Sequence, residues 1–249
     1  MPTLLSLLLL TGLLAACNQP AAPEKETVKK PETDVDKQSY ALGAIFSSRV
    51  RQDVDKIDGL EVNKEMMIQG FIDGMNDKTL MTEEELQAEM MAYQQRVQQQ
   101  MEKSMSAKAE GNKKAGQEFL AKEMAADATI KASESGSGLY YKVIQEGDGK
   151  NFPAATDTVK VHYVGTFIDG NQFDSSIDRG EPIEFPLNRV IQGWTEGLQL
   201  MSKGAKYKFY IPSDIAYGDP GRGQIKPGDL LVFEVELLDI IKPTATEEK

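Results

Sequence analysis

Residues 133–138 carry the sequence Ser133-Glu134-Ser135-Gly136-Ser137-Gly138, and the hydrophobic pattern of the chain changes across them. Before this stretch, apolar residues recur every three or four positions, which is typical of amphipathic helices. After it, apolar and polar residues alternate with a period of two, which is typical of half-buried strands. Small polar residues mixed with glycine favour a flexible joint. The sequence therefore predicts two domains connected by a hinge at 133–138.

The half that follows the hinge, residues 139–242, has the pattern of a sheet. Strands are predicted at 139–144, 158–167, 207–211 and 230–241, with one short helix at 190–201. Several strands and a single helix indicate an α+β domain, in which an antiparallel sheet is wrapped on that helix. Residues 243–249 are left as a polar tail.

The half that precedes the hinge, residues 37–132, is predicted to be all helical. No proline occurs between Pro31 and Pro153, so long helices are permitted over the whole region. Helices are expected around 39–46 and 63–75, and a longer one from about Asn76 to Glu110 that continues more weakly towards Met124. Thr82 and Glu85 have the spacing of a capping box within that last region.

The long helix carries one apolar stripe with a polar opposite face, formed by Leu86, Met90, Tyr93, Val97, Met101 and Met105. Two short helices do not cover such a stripe, so the pattern predicts a homodimer with intertwined helical halves. Nine of the 11 methionines lie between Met66 and Met124. Methionine is common in dimer cores and also at adaptable binding surfaces, so a dimer core and a groove for unfolded polypeptides both remain open.

The first residues have the pattern of an export signal. The apolar run from Leu4 to Leu14 is too short to span a bilayer as a helix. Leu14-Ala15-Ala16-Cys17 resembles a bacterial lipobox, which predicts a signal peptide at 1–16 and a lipid on Cys17. The alternative is an ordinary secretory signal with an incidental cysteine. Residues 17–36, rich in proline and charge, are predicted to be a flexible tether, so the membrane is reached through the lipid alone.

Composition excludes several classes of function. The chain has 28 Lys and Arg against 39 Asp and Glu, a net charge of −11, which disfavours nucleic acid. One cysteine and one histidine leave no internal disulfide and no Cys/His metal site. His162 has no nucleophile beside it in sequence, and Asp174 with Asp178 lacks the aromatic cluster of a sugar site. Aromatic residues near predicted turns instead indicate an apolar pocket with few polar groups.

Five motifs in order carry a resemblance to a known family. They are Val161-His162-Tyr163-Val164-Gly165, Phe173-Asp174-Ser175-Ser176, Val190-Ile191-Gln192-Gly193-Trp194, Ala216-Tyr217-Gly218 and the run from Leu231 to Leu238. Together they resemble the FKBP-type (macrolide-binding) peptidyl-prolyl cis-trans isomerases. The helical half resembles the amino-terminal dimerisation domain of the macrophage-infectivity-potentiator branch, through 40–43, 70–75 and 111–120.

The resemblance implies isomerisation of the peptide bond before proline, with no cofactor. It implies that Trp194 is the floor of the pocket, that Tyr217 donates its hydroxyl to a substrate carbonyl, and that the Ile191 N–H binds another. Asp174 faces the carbonyl region, held by Tyr163 and Arg179. The remaining substrate-binding residues implied are Phe173, Ile183, Phe185, Val190, Ile225 and Phe233. Ile183 stands where many members have phenylalanine, which softens one wall for a macrolide ligand.

The expected setting is the bacterial cell envelope, with the protein lipid-anchored in the outer membrane and its body in the periplasm or at the cell surface. The expected clients are proline-containing polypeptides of the envelope. The alternative function is a dimeric holdase chaperone that binds unfolded clients between its arms, with isomerisation incidental.

Overall fold

The structure, a computed structural model, describes residues 29–242. The predicted signal peptide, Cys17 and the tail at 243–249 lie outside the described residues. The chain divides into two units, residues 1–52 and residues 53–249, and each is considered separately.

Most of the described part of the first unit belongs to helix α1, Asp34–Asp55, whose last three residues fall in the second unit. This helix begins inside the segment predicted as a tether up to residue 36. The reason is a reciprocal cap: the Asp36 N–H donates to Thr33 Oγ1, and the Thr33 N–H donates to an Asp36 carboxylate oxygen, both at 3.1 Å. The large apolar side chains of α1 are exposed, Leu42 by 73% and Tyr40 by 63%.

The second unit begins with two further helices, α2 (Lys64–Met75) and α3 (Glu83–Ala126). Asn63 caps α2, because its side chain accepts the N–H of Met66. The predicted capping box of α3 is present, since Thr82 and Glu85 each accept the other's backbone N–H. The long helix is therefore confirmed, and it ends at Ala126.

The sheet that follows has seven strands, all paired antiparallel. They are β1 (Lys131–Ala132), β2 (Tyr140–Gln145), β3 (Thr158–Thr166), β4 (Gln172–Ser175), β5 (Ile183–Pro186), β6 (Lys206–Ile211) and β7 (Leu231–Ile241). Their order is β1-β2-β6-β7-β3-β4, and β5 pairs with β3. Helix α4, Gln192–Gln199, packs against one face through Trp194 and Leu198. The predicted α+β fold is confirmed.

Burial along β3 alternates without interruption, as the sequence pattern predicts. Three strands were not anticipated, namely β1, β4 and β5. Each has four residues or fewer, which is too short for an alternating pattern to emerge. The short strands β4 and β5 both pair with β3, where they bring their side chains to the α4 face of the sheet.

The opposite face of the sheet is covered by the last turns of α3, so the sheet has a helix on both faces. Phe119 and Leu120 pack on a cluster that contains Tyr210 and Val232. The Tyr210 hydroxyl donates to Glu123 Oε2 at 3.0 Å, and this bond together with burial raises the pKa of Tyr210, burial being the larger cause. The end of α3 therefore belongs to the packed body of the second unit.

The segment predicted as a hinge, 133–138, is the turn of a hairpin between β1 and β2. The Ser133 N–H donates to the Leu139 carbonyl at 2.8 Å, and the Ser135 hydroxyl donates to Glu196 on α4 at 2.6 Å. These bonds, together with the packing of α3 on the sheet, hold the segment in place, whereas the predicted hinge would be free to move. Glycine at 136 and 138, with φ of 74° and 88°, serves the turn.

Among residues 29–242, no helix combines the length and apolar character that a membrane span requires.

Candidate active site

Three aromatic side chains contact Trp194 on the face of the sheet that α4 covers, and a fourth packs on one of them. The Trp194 ring lies 5.1 Å from that of Tyr163 and 5.2 Å from that of Phe233, both edge to face, and 5.3 Å from that of Phe185. Phe173 completes the group with an edge-to-face contact to Phe233 at 5.5 Å. Such contacts are favourable for quadrupolar rings and fix their orientations. The result is an aromatic cluster built from β3, β4, β5, α4 and β7.

Glycines allow these elements to come so close together. A Cβ at Gly193 would lie 2.4 Å from Ile211, and one at Gly197 would lie 2.7 Å from Phe209, so α4 can sit directly on β6. A Cβ at Gly165 would lie 2.8 Å from both Phe173 and Phe233. The glycines in the Val164-Gly165 and Gly193-Trp194 pairs are therefore required by packing around the aromatic cluster.

A closed set of polar contacts forms one edge of the cluster. The Tyr163 hydroxyl donates to one oxygen of Asp174, and Arg179 donates to the other oxygen. Arg179 also donates to the Tyr163 hydroxyl at 2.8 Å, and its guanidinium lies 5.5 Å from the centre of the Tyr163 ring. Each member of the triad Tyr163–Asp174–Arg179 thus holds the other two.

The electrostatics of this triad keep Asp174 charged. Burial alone would raise the pKa of Asp174, but the hydrogen bonds from Tyr163 and Arg179 outweigh it and hold the pKa below its usual value. Burial raises the pKa of Tyr163, and the neighbouring Asp174 carboxylate adds to the increase. At neutral pH the triad is a charged carboxylate, a neutral phenol and a guanidinium.

His162 lies on the other side of β3 and takes no part in the aromatic cluster. Its Nδ1 is 3.0 Å from the Ser176 hydroxyl oxygen, which also accepts the Tyr163 N–H at 2.8 Å. Ser176 is fully buried, so these bonds fix the connection between β3 and the segment after β4. His162 is a strand residue, and its neighbour Ser176 is occupied in holding Tyr163 in place.

The structure brings the other predicted site residues to the same place. Tyr217, on the loop after β6, packs on the core around Trp194, and the Arg222 guanidinium lies 6.0 Å from the centre of its ring. Ile191 is the cap residue of α4, and its carbonyl accepts the N–H groups of Trp194 and Thr195. Ile191 and three other half-buried aliphatic residues pack against this core: Ile183, Val190 and Ile225.

One floor atom is left unsatisfied. Trp194 is only 6% exposed, and its indole nitrogen is buried with no hydrogen-bond partner among the described residues. A buried donor without a partner is costly in an ordinary core. The surroundings of the Trp194 indole are therefore apolar, and the charged triad Tyr163–Asp174–Arg179 lies at one edge of the aromatic cluster.

Sequence reasoning missed three residues near this site. Phe167 packs on Phe173 with ring centres 4.9 Å apart, and its position in the predicted strand 158–167 was a usable signal. Asn112 and Lys113 of α3 contact the loop that follows Tyr217. Both are polar residues on a helix that is predicted to serve dimerisation, so nothing in the sequence indicates that they lie beside the pocket.

Two family descriptions match this chain. Residues 149–238 match the FKBP-type peptidyl-prolyl cis-trans isomerases, and residues 35–143 match the domain amino-terminal to such isomerases. The two matches cover nearly all the residues described above and occur in the order that the sequence motifs predict.

Curated relatives and a solved structure agree with these matches. The FKBP-type isomerase FkpA of Aeromonas hydrophila is 40% identical over 93% of this chain and 84% of its own length. The outer membrane protein MIP of Legionella longbeachae is 35% identical over 81% of this chain and 83% of its own. The crystal structure of FkpA from Escherichia coli superposes with a TM-score of 0.71 at 37% identity, covering 85% of this chain and 99% of that one.

Proposed function

Because the chain belongs to the FKBP-type peptidyl-prolyl cis-trans isomerases, we propose that it isomerises X-Pro bonds in the pocket formed by the aromatic cluster around Trp194. The observation that carries this proposal is the aromatic cluster, in which rings from β3, β5 and β7 contact the Trp194 indole of α4 and the Phe173 ring of β4 contacts Phe233, beside a fixed charged triad. The family names support isomerisation, and none of them supports the alternative in which a holdase chaperone is the main function.

The chemistry needs no nucleophile. Rotation about a peptide bond breaks amide resonance at a cost of about 18–20 kcal/mol, and the tertiary amide before proline leaves cis and trans within about 1 kcal/mol. The twisted amide has lost resonance and is less dipolar than the planar one. A dry aromatic floor therefore favours the twisted form over the planar form, and differential binding lowers the barrier.

The predicted catalytic residues and several of their neighbours have distinct roles in this scheme. The prolyl ring sits over Trp194, between Tyr163, Phe185 and Phe233. Tyr217 donates its hydroxyl to a substrate carbonyl, and the Ile191 N–H donates to a second one. Asp174, kept charged and immobile by Tyr163 and Arg179, faces the carbonyl region, where it acts by position and charge and transfers no proton. Arg179 and Tyr163 serve mainly to hold it.

The test is the rate of cis-to-trans interconversion of a short X-Pro peptide with the purified chain. We expect clear acceleration, and we expect a macrolide ligand to abolish it. Tyr217→Phe should lower kcat/KM by about two- to tenfold, the effect of one neutral hydrogen bond. Tyr141→Phe is the matched control, because Tyr141 stacks on Tyr207 instead of joining the aromatic cluster. Equal activity of the two variants would remove Tyr217 from the mechanism.

We also propose that the protein works as a homodimer. Large apolar side chains of α2, of the segment that follows it and of the first half of α3 are exposed in the single chain, including Ile68 by 61%, Met75 by 73%, Leu80 by 82% and Met91 by 65%. An exposed apolar surface of this extent supports self-association. Sedimentation of a single species at the mass of one chain, at micromolar concentration, would contradict this proposal.

Finally, we propose that the protein resides in the bacterial envelope, lipid-anchored at Cys17 in the outer membrane. The Leu14–Cys17 motif supports the anchor, and the name of the Legionella relative supports the location. Incorporation of labelled palmitate should depend on Cys17. A parent chain that incorporates no label would argue for the ordinary secretory signal instead.

A further inference from the structure

The loop that follows Tyr217 forms the rim of the proposed pocket. This rim loop, residues 218–228, is closed at its base by the Gly228 N–H, which donates to the Gly218 carbonyl at 3.2 Å. At its tip, Arg222 and Ile225 exchange backbone hydrogen bonds of 2.8 and 3.0 Å. Ile225 and the preceding Tyr217 both pack on the core around Trp194. Because Ile225 belongs to the rim loop and Tyr217 directly precedes it, the position of the loop determines the positions of both pocket residues.

Helix α3 contacts both ends of the rim loop. Lys113 Nζ is 2.7 Å from an Asp219 carboxylate oxygen at the start of the loop and 2.8 Å from one of Asp214 just before Tyr217. At the other end, the Asn112 side chain donates to the Pro227 carbonyl at 2.9 Å.

The backbone at the end of the rim loop also meets α3 directly. A Cβ on Gly228 would lie 2.3 Å from the carbonyl oxygen of Ala109, and Ala109 is only 1% exposed. Ala109, Asn112 and Lys113 have the i, i+3, i+4 spacing of a single helix face. One face of one helix thus touches both ends of the rim loop.

Other packing near the rim loop is incomplete. A cavity of about 290 Å³ lies between α3, the turn after β3 and the end of the rim loop; its lining includes Asn112, Phe167, Lys226 and Leu230. This cavity is partly open to solvent, and beside it the contacts that restrain the loop are the polar ones from Asn112 and Lys113 of α3. The two carboxylates on Lys113 would also repel each other without the ammonium group between them.

We infer that Lys113 is a positioning residue for the isomerase pocket, through which α3 holds the rim loop and therefore Tyr217 and Ile225 in place for substrate. The inference rests on the proposed pocket. Hydrogen bonds to Asp214 and then Asp219 raise the pKa of Lys113, so its charge persists through the neutral range. A helix predicted to carry the dimer contacts would in this way also set the affinity of the active site.

The test compares Lys113→Met with Lys114→Met in the full chain. Lys114 is the adjacent, exposed lysine of the same helix, so the two variants change net charge equally. We expect Lys113→Met to lower kcat/KM for X-Pro peptides about threefold, mainly through KM, the effect of a partly exposed ion pair. Lys114→Met should match the parent, and Lys113→Arg should recover most of the loss. Added salt should weaken the parent towards the level of Lys113→Met.

A double-mutant cycle identifies the partner. Asp219→Asn should lower kcat/KM by itself and should add little in the Lys113→Met background, because the shared contact is already lost. Binding of the peptide, followed by the fluorescence of Trp194, tests the inference without turnover. About threefold weaker binding by Lys113→Met supports the inference, whether or not the chain has isomerase activity. A chain with no activity would overturn the proposed isomerase site but not this inference.

The opposite result is equally clear. If Lys113→Met lowers the urea midpoint but has the same KM and peptide affinity as Lys114→Met, then Lys113 contributes only to stability and the inference is wrong.

Discussion

Gly116→Ala asks whether the end of α3 is docked on the sheet in solution. Gly116 is buried within α3, and a Cβ there would lie 2.7 Å from the Leu230 Cβ, which cannot move without the backbone of Leu230 just before β7. Gly111, in the same helix, is exposed, and a Cβ there would meet nothing within 4 Å. Gly111→Ala is therefore a matched control with the same chemical change.

Both substitutions gain the higher helix propensity of alanine, but only Gly116→Ala also introduces a steric clash. Alanine in place of glycine in a helix interior stabilises by about 0.5–1 kcal/mol. Only at residue 116 does the methyl group also overpack a neighbour, which costs about 1–3 kcal/mol. We expect Gly111→Ala to raise the free energy of unfolding by up to about 1 kcal/mol. Gly116→Ala should lie below Gly111→Ala by about 1–3 kcal/mol.

Urea denaturation measures both effects. Trp194 is the single tryptophan of the chain and lies in the core of the isomerase domain, so its fluorescence reports the unfolding of that domain. Protein concentration must be kept equal, because self-association shifts apparent stability. If both variants are stabilised equally, the methyl group at residue 116 meets no neighbour. The end of α3 would then be undocked, and the hinge predicted at 133–138 would be the better description.

Two further predictions concern side chains that hold the domain together. Tyr210→Phe removes the hydroxyl that donates to Glu123 and should lower the free energy of unfolding by about 1–2 kcal/mol; unchanged stability would contradict the docking of α3. Because the folded-state pKa of Asp174 lies below its usual 3.8, its contribution to stability should be complete above that value and disappear as the pH falls through the folded-state pKa. As the pH is lowered through the acid range, the urea midpoint should therefore fall less steeply for Asp174→Asn than for the parent. Parallel curves for the two proteins would contradict a lowered pKa of Asp174.

The sequence predicts most of the site because the pocket residues belong to motifs with a fixed order. Trp194 follows a glycine that packing against Ile211 requires, and Phe173 and Phe233 flank Gly165. The motifs therefore contain the pocket residues together with small residues, Gly165 and Gly193, that make room for the packing around them. The functional roles of these residues stay predictions until kinetics are measured.

The docking of α3 could not be predicted from periodicity. Its contact face contains Ala109, Asn112, Lys113 and Gly116, which are small or polar, so no apolar stripe marks it. Bulky residues do appear at Phe119 and Leu120, but there the apolar pattern is weaker than between Leu86 and Met105. Serine and glycine at 133–138 predicted a joint, but the same residues also suit a tight hairpin turn. Composition alone does not distinguish the two.

The order of strands has a consequence for how this folding catalyst itself folds. Strand β7 is the last described strand along the chain, yet it lies in the middle of the sheet, between β6 and β3. Until Leu231–Ile241 has emerged, β3 with β4 and β5 cannot join β2 with β6, and Phe233 is missing from the aromatic cluster. Closure through such long-range pairings is slow. During synthesis or export, the domain therefore stays open until nearly its whole length is available, and an unfinished chain has no assembled pocket.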